Sequence, residues 1–224
     1  MINDAKLWNA IHRKQYETNE WHSHYAEEKE KLFPKESIVV DLGGGTGADA
    51  LYFLQKGHSV VLLDISEFAV KVALEKIKKA GFSDRFVVRQ VDYGLNELPL
   101  KNNSVDAVYS RISLNYFPSD QTIKILCEIN RVLKKGRKAY LTFKSPEDKT
   151  EMEYLEKTAV VYEPGVYIHN GQLRSRFTKE QLVEILSKTG IKNYNIIPYQ
   201  EKLSEKKEGH HPVLFTNEVI ITRS

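Results

Sequence analysis

The chain of 224 residues has one cysteine, Cys127, so no internal disulfide can form. A lack of disulfides is typical of a protein from a reducing compartment. The sequence also has no apolar run of membrane-span length, and its start does not pair a basic stretch with an apolar leader. From these absences we expect a cytoplasmic protein with no membrane partner. The hydrophobic share of 41% and the charged share of 28% are those of an ordinary globular domain.

Long blocks of one charge are absent as well. The chain has 33 lysine and arginine residues against 30 aspartate and glutamate residues, a net charge of +3. Basic stretches such as RVLKKGRK are short, and such runs are usually solvated faces, so we expect no nucleic-acid partner. The histidine pairs His22/His24 and His210/His211 have no third ligand at a recognisable spacing, so we expect no metal site.

The sequence does contain a glycine-rich turn. The segment IVVDLGGGTGAD joins a short predicted strand, Ile38–Val40, to a helix that is predicted to begin at Thr46. Gly43, Gly45 and Gly47 lie between them, where residues without a Cβ allow positive φ and a close approach of the backbone to a ligand. The N–H groups at the start of the helix are free to bind a negative group. We therefore predict a cradle for a nucleotide cofactor.

Acidic residues follow three predicted strands. Asp41 follows the first strand, Asp64 ends the strand His58–Leu63, and Asp92 follows Phe86–Val91. The carboxyl ends of parallel strands share the edge where open α/β sheets bind ligands, so Asp64 is placed to accept from ribose hydroxyls and Asp92 from an adenine amino group. The glycine spacing also fits an NAD(P)-dependent oxidoreductase. Asp41 would repel a pyrophosphate, however, and would favour a ligand with a sulfonium and an ammonium group.

Five segments together resemble the class I S-adenosylmethionine-dependent methyltransferases. They are VVDLGGGTG (39–47), VVLLDIS (60–66), VDYGLNELPL (91–100), SVDAVYSRISLNYF (104–117) and RVLKKGRKAYLTF (131–143). The resemblance implies a doubly wound, Rossmann-like α/β fold with a seven-stranded mixed sheet, in which an antiparallel last strand inserts between two others. It also implies S-adenosylmethionine as the cofactor and S-adenosylhomocysteine as the product.

The cofactor-binding residues that we expect from this resemblance lie at the ends of the first four strands. They are Asp41, Gly43, Gly44, Gly45, Gly47, Asp64, Ile65, Asp92, Tyr93 and Arg111. Asp41 would accept from the cofactor ammonium, and Asp64 would hold the ribose diol. Ile65 would pack on the adenine face, with Asp92 at its amino group and Tyr93 beside it. Arg111 would meet a carboxylate of the cofactor or of the substrate.

The sequence does not name the catalytic residue or the acceptor. The motif (D/N)PP(Y/F), which methylases of nucleic-acid amino groups and of protein glutamine carry after strand four, is missing. Cys127 falls on the expected buried stripe of the helix Ser119–Leu133, so we expect a core residue and not a nucleophile. The residues expected to shape the acceptor pocket are Tyr16, Trp21, Tyr116, Tyr167 and His169. Of these, His169, Tyr116 and Tyr167 are the catalytic candidates.

We expect one domain over residues 1–224. Its parts would be a helical N-terminal lid (1–33), the cofactor-binding core (34–145), an irregular acceptor cap (146–177), and a C-terminal helix with two hairpin strands (178–224). The aromatic stripe of the N-terminal segment leaves two interpretations open, a helix pair packed on the body or a lid over the site. The protein would be a monomer or a homodimer.

The function expected from these features is in-line transfer of a methyl group to the sulfur, nitrogen, oxygen or metalloid nucleophile of a small molecule. An NAD(P)-dependent oxidoreductase and a non-catalytic S-adenosylmethionine-binding protein remain as alternatives. Within the family, the start WNAIHRKQYETNEW and the His210–His211 pair before the last strand are similar to the tellurite-resistance-type small-molecule methyltransferases.

Overall fold

The computed structural model describes residues 5–15, 21–202 and 213–224. The strands are β1 Ile38–Leu42, β2 Ser59–Asp64, β3 Phe86–Gln90, β4 Val105–Ser110, β5 Leu133–Lys144, β6 Val160–Glu163, β7 Val166–His169, β8 Gln172–Ser175, β9 Tyr194–Lys202 and β10 Val213–Thr222. The helices are α1 Ala5–Gln15, α2 His24–Glu30, α3 Ala48–Gln55, α4 Glu67–Lys79, α5 Ser119–Val132, α6 Lys149–Thr158 and α7 Lys179–Ser187. No helix in these ranges is long and apolar enough to span a membrane.

Seven strands form the main sheet in the order β3-β2-β1-β4-β5-β10-β9. The first five are parallel to one another, and β10 pairs antiparallel with both β5 and β9. The predicted seven-stranded fold with its inserted last strand is therefore confirmed. The chain order reverses between β1 and β4, and the crevice beyond the carboxyl ends of these two strands is where such sheets bind ligands.

Both faces of the main sheet are covered, because successive side chains of a strand point to opposite faces. Val40 of β1 and Val108 of β4 join a core with α5 and α7, whereas Val39 and Tyr109 join a second core with α2, α3 and α4. Local signals place the helix starts. Ser66 accepts the N–H of Ala69 at the start of α4, and a capping box of Thr178 and Gln181 begins α7.

Residues 146–177 are more regular than expected. They form α6 and a three-stranded antiparallel sheet in the order β6-β7-β8. Asn170 and Gly171, with φ of 50° and 71°, make the tight turn between β7 and β8, and Asn-Gly with two positive φ values is a strong hairpin signal. We call α6 together with β6–β8 the cap.

The expectation that Cys127 is a core residue was wrong. Cys127 is exposed, because the buried face of α5 is formed by Thr122, Ile125, Leu126, Ile129 and Val132, and Cys127 lies just outside that stripe. The neighbouring strand β5 is long, since it begins at Leu133 and includes the basic residues 134–138.

The two N-terminal helices differ in how they contact the body. α2 is packed on it through Tyr25, Ala26 and Lys29, and Tyr25 donates to Glu218 of β10 at 2.8 Å. α1 buries no residue, and it is held at the start of α4 by Asn9, whose side-chain oxygen accepts from the hydroxyl of Ser66 at 2.7 Å. α2 is therefore packed on the body and α1 is partly exposed, and that α1 is a lid stays a prediction.

Candidate functional site

Two adjoining cavities lie at the carboxyl edge of the main sheet, with volumes of about 230 Å³ and 780 Å³. Both are lined by His12, Gly43 and Arg111. Of the other expected cofactor residues, Asp64, Ile65, Asp92 and Tyr93 line the smaller cavity, and Asp41, Gly44 and Gly45 line the larger one. The structure thus brings nearly all of the expected cofactor residues to one place.

The glycine turn has little room for side chains. Gly43 and Gly45 have φ of 74° and 54°. A Cβ on Gly43 would collide with Ser113 and would lie 2.8 Å from the hydroxyl of Tyr93, and a Cβ on Gly44 would collide with the carboxylate of Asp41. Gly47 has a different use, because it caps α3 with φ of 77° and a Cβ there would lie 3.0 Å from Ala73. Gly47 therefore serves helix packing in this structure.

Asp41 is a buried carboxylate within β1. Its residue is 2% exposed, and its Oδ2 has no hydrogen-bond partner among the described residues. Burial raises the pKa of Asp41 well above the usual carboxyl range, and the neighbouring charges of Asp49 and Asp64 raise it further. A buried acceptor without a donor costs about 1–3 kcal/mol. Its position on the larger cavity suits a cationic ligand group, which would supply both a donor and the missing positive charge.

Asp64 lies at the site and is held there by two backbone N–H groups. Its Oδ2 accepts the N–H of Gly45 at 2.9 Å, and its Oδ1 accepts the N–H of Ser66 at 2.8 Å. The Nε2 of His12 lies 4.0 Å from Oδ1. Two backbone bonds fix the carboxylate in place at the wall of the smaller cavity, and each oxygen keeps a lone pair for a ligand.

Asp92 begins a turn after β3, since its Oδ1 accepts the N–H of Gly94 at 3.0 Å. The same side chain lines the smaller cavity beside Ile65 and Tyr93. Tyr93 is buried, and desolvation raises its pKa well above the ordinary tyrosine value, so its hydroxyl stays neutral. In the wall that these three residues form, the apolar side chains suit the face of a purine. The carboxylate of Asp92 suits its amino group.

The loop after β4 is held in a strained conformation. Ile112 has φ of 57°, which is uncommon for a β-branched residue, and its N–H donates to the hydroxyl of Thr142 at 2.8 Å. Strained residues of this kind cluster at functional sites. Arg111 precedes it and already meets a carboxylate of the protein, because its Nε donates to Glu201 at 2.8 Å. A ligand carboxylate at Arg111 would compete with that ion pair.

The residues expected at the acceptor pocket lie in different places. Tyr116 lines the smaller cavity, with the ring of Trp8 edge-on at 4.6 Å between centroids. Trp21 lines the larger cavity and is 79% exposed. Tyr167 and His169 are on β7, and neither is among the residues that line the two cavities; His169 instead contacts the hydroxyl of Tyr154 at 3.2 Å. Tyr16 and the pair at 210–211 lie outside the described residues.

Sequence reasoning missed the role of α1 as a wall of the site. Trp8, His12 and Gln15 all line the smaller cavity, and a Cβ on Gly45 would lie 3.0 Å from Cε1 of His12. The helical spacing of Trp8 and His12 was visible in the sequence. This spacing did not indicate that the face with Trp8 and His12 points to a ligand, however, because the orientation of a helix face depends on tertiary packing.

Comparisons with known proteins agree with this geometry. Residues 39–136 match the family model described as "Methyltransferase domain". The sarcosine/dimethylglycine N-methyltransferase of Aphanothece halophytica is 33% identical over 110 residues, which is 49% of this chain and 38% of that protein. The chain spans less than half the length of the curated relatives it matches.

Two solved structures share the fold over most of their length. A SAM-dependent methyltransferase from Methanosarcina mazei superposes with a TM-score of 0.70 at 18% identity, over 86% of this chain and 95% of that one. The 1,6-didemethyltoxoflavin-N1-methyltransferase of Burkholderia thailandensis, solved with S-adenosylhomocysteine, gives a TM-score of 0.65 at 13% identity, over 100% and 92%. The family match over residues 39–136, the fold and the carboxylates around the glycine turn agree, and this part of the chain is a class I S-adenosylmethionine-dependent methyltransferase domain with S-adenosylmethionine as its cofactor.

Proposed function

We propose that this protein transfers the methyl group of S-adenosylmethionine to a small-molecule acceptor. The observation that carries the proposal is the unpartnered Oδ2 of Asp41, a buried carboxylate oxygen at a cavity formed by glycines. A nicotinamide dinucleotide would place a negative pyrophosphate at this point, where the carboxylate would repel it. A cofactor with an ammonium and a sulfonium group would instead remove the cost of leaving Asp41 buried alone.

Each of these residues would bind a different part of the cofactor. Asp41 would accept from the ammonium, Asp64 from the ribose hydroxyls, and Asp92 from the adenine amino group, with Ile65 against the ring. Gly43 and Gly45 would let the backbone approach the amino-acid part of the cofactor. The cofactor supplies an electrophilic methyl group on a positively charged sulfur.

The acceptor would lie on the side of the smaller cavity that Ile112, Ser113 and Tyr116 form. The relative from Aphanothece halophytica is named for the methylation of small amino acids, which supports this choice of acceptor class. The protein would align the acceptor with the sulfur–methyl bond and exclude water, and alignment alone contributes about 7–11 kcal/mol in favourable cases. A soft or neutral nucleophile would need no strong general base.

The test is calorimetric titration of the full chain with S-adenosylmethionine and, separately, with NAD and NADP, followed by tritium transfer to panels of thiols, amines and metalloid anions. We expect binding of S-adenosylmethionine, no binding of the dinucleotides, and methyl transfer to at least one panel member. Asp41→Asn should weaken S-adenosylmethionine binding and leave the dinucleotide result unchanged.

Each alternative predicts a different outcome. Tight NAD or NADP binding without S-adenosylmethionine binding would favour the oxidoreductase. Tight S-adenosylmethionine binding without turnover on any panel, in a protein whose cofactor-bound structure has no space beside the sulfur, would favour the non-catalytic binding protein.

A further inference from the structure

Positive charge is concentrated where the cap meets the carboxyl end of β5. Lys144 at the end of β5 and Arg176 after β8 both pair with Glu151 of α6, and Arg174 lies on β8. Asp148 also lies nearby, where its side chain caps α6 by accepting the N–H of Glu151 at 3.0 Å. Three cations therefore face two carboxylates, one of which serves the helix terminus.

Glu151 is fully used by two of these cations. Arg176, which is 2% exposed, donates from Nε and Nη2 to the two carboxylate oxygens at 2.9 Å and 2.7 Å. Lys144 donates to the same carboxylate at 2.8 Å. Although burial opposes ionisation of Glu151, the bonds and charges of Arg176 and Lys144 lower its pKa to about 2. The carboxylate is thus ionised at neutral pH and has little left for a third cation.

Arg174 is that third cation. Its pairing with Tyr167 across β7 and β8, and the pairing of His169 with Gln172, place these four side chains on one face of the small sheet. The Nε of Arg174 is buried and has no hydrogen-bond partner, and within the described ranges no carboxylate lies at ion-pair distance from it. A guanidinium is always charged, so this donor calls for an acceptor.

Asn115 adds a second donor without a partner. Its residue is 1% exposed, its side-chain oxygen accepts the N–H of Lys144, and its Nδ2 is buried with no partner among the described atoms. Asn115 is adjacent in sequence to Tyr116, which lines the smaller cavity. Burial raises the pKa of Tyr116, and the positive charges of Arg176 and Arg174 oppose this rise. Asn115 thus places an unsatisfied donor next in sequence to a residue of the cofactor cavity, and the charge of Arg174 acts on the same residue.

We propose that the methyl acceptor carries an oxoanion, in the simplest case a carboxylate, which Arg174 and Asn115 hold beside Tyr116. The inference rests on the proposed function and narrows its substrate class. A buried donor without a partner is destabilising, and an oxoanion would satisfy both donors with the planar geometry that a guanidinium matches best. It would also offset the excess positive charge of Lys144, Arg174 and Arg176.

The binding test uses the full chain saturated with S-adenosylhomocysteine. Acetate, succinate and benzoate are compared with acetamide, succinamide and benzamide by ligand-observed NMR and calorimetry. We expect at least one acid to bind at least ~10-fold more tightly than its amide, a change of about 1.4 kcal/mol. Equal affinity of every acid and its amide, or no binding of any acid, would overturn the proposal.

Variants show whether the named donors are responsible. Arg174→Gln should remove the preference for acids, and Arg174→Lys should restore part of it. Asn115→Asp keeps the acceptor for the Lys144 N–H but replaces the free donor by a negative charge, so it should weaken acid binding at least ~10-fold. The control is Lys157→Gln, which removes a positive charge from the exposed side of α6 and should change nothing. Full acid binding by both Arg174→Gln and Asn115→Asp would contradict the proposal.

A turnover arm separates this inference from the proposed function. Thioglycolate with thioglycolamide, and glycine with glycinamide, are offered with tritiated S-adenosylmethionine. If S-adenosylhomocysteine binds but amides bind and react as well as acids, only the oxoanion proposal fails. If S-adenosylhomocysteine does not bind, the proposed function fails, and the NMR comparison on the cofactor-free protein still decides whether the cap binds carboxylates.

Discussion

The cofactor edge and the cap differ in which hydrogen-bonding groups they leave unsatisfied. At the carboxyl ends of β1–β3, carboxylates predominate, and the unpartnered atom is an acceptor, Oδ2 of Asp41. At the cap, cations predominate, and the unpartnered atoms of Asn115 and Arg174 are donors. Tyr116 lies between them. A site with acceptors at one end and donors at the other suits a cationic methyl donor and an anionic acceptor, which would each be held by the end of opposite charge.

The largest expected effect is a loss of stability when an ion pair of the cap is broken. Glu151→Gln preserves shape but leaves the buried Arg176 and the half-buried Lys144 without their counter-charge, and breaking a buried pair in this way costs about 3–5 kcal/mol. Urea unfolding measures the change in free energy of unfolding. Glu184→Gln is the matched control, because its pair with Lys188 is exposed and spans one helical turn, and such pairs contribute about 0.3–0.5 kcal/mol.

The same variant checks that the two regions are separate. S-adenosylhomocysteine should bind folded Glu151→Gln with an affinity within about twofold of the wild type, since Asp41 and Asp64 are untouched. A loss of cofactor affinity as large as the loss of stability would show that the cap and the cofactor edge form one unit.

The second largest expected effect is a loss of cofactor affinity at the glycine turn. Gly45→Val combines a positive φ with a side chain that meets His12 and enters the space of the cofactor, so we expect at least ~100-fold weaker S-adenosylmethionine binding, about 2.7 kcal/mol. Gly190→Val has the same kind of backbone strain, with φ of 74°, but open space around its Cβ. It should lower stability without changing affinity. Equal affinity losses in both variants would mean that strain, and not occupied space, explains the effect.

A smaller effect is expected at Asp64. Asp64→Ala removes the acceptor proposed for the ribose hydroxyls and should weaken S-adenosylmethionine binding by about 1–3 kcal/mol. Because Asp64 also accepts from Gly45 and Ser66, Asp64→Asn is a useful companion that keeps the shape and one acceptor. Unchanged affinity in the alanine variant, measured by calorimetry, would show that the ribose contact is misassigned.

The cofactor edge was predictable from the sequence and the cap was not, for a physical reason. Asp41, Asp64 and the glycines follow strands that are local in sequence, and parallel strands bring their carboxyl ends together without further information. The donors at the cap are Asn115 after β4, Lys144 at the end of β5 and Arg174 on β8, which are distant in sequence, so their convergence depends on tertiary packing. Part of the cap was nevertheless signalled, since Asn170-Gly171 predicts a hairpin that the irregular assignment overlooked. The exposure of Cys127 was missed because the buried stripe of α5 was placed one position too far round the helix.

The smallest expected effect is the pH dependence of cofactor affinity that Asp41 causes. Burial raises the pKa of Asp41 well above its usual value, so the free protein binds a proton there more tightly than its unfolded form does. A bound ammonium favours the carboxylate and lowers that pKa, so cofactor binding should release protons near the raised pKa, and affinity should rise with pH there by at most ~10-fold per unit. Calorimetry in two buffers of different ionisation enthalpy counts the protons.

Asp41→Asn should abolish that proton release. His12→Gln is the control for the other titratable group that faces the turn. Burial lowers the pKa of His12 from its ordinary value of 6.5, although Asp64 opposes this, so the imidazole should be neutral and contribute little above that pH. If proton release persists in Asp41→Asn and disappears in His12→Gln, the cation would be sensed by the Asp64 side of the turn. The acceptor end of the site would then be Asp64 at the end of β2, and not Asp41 in β1.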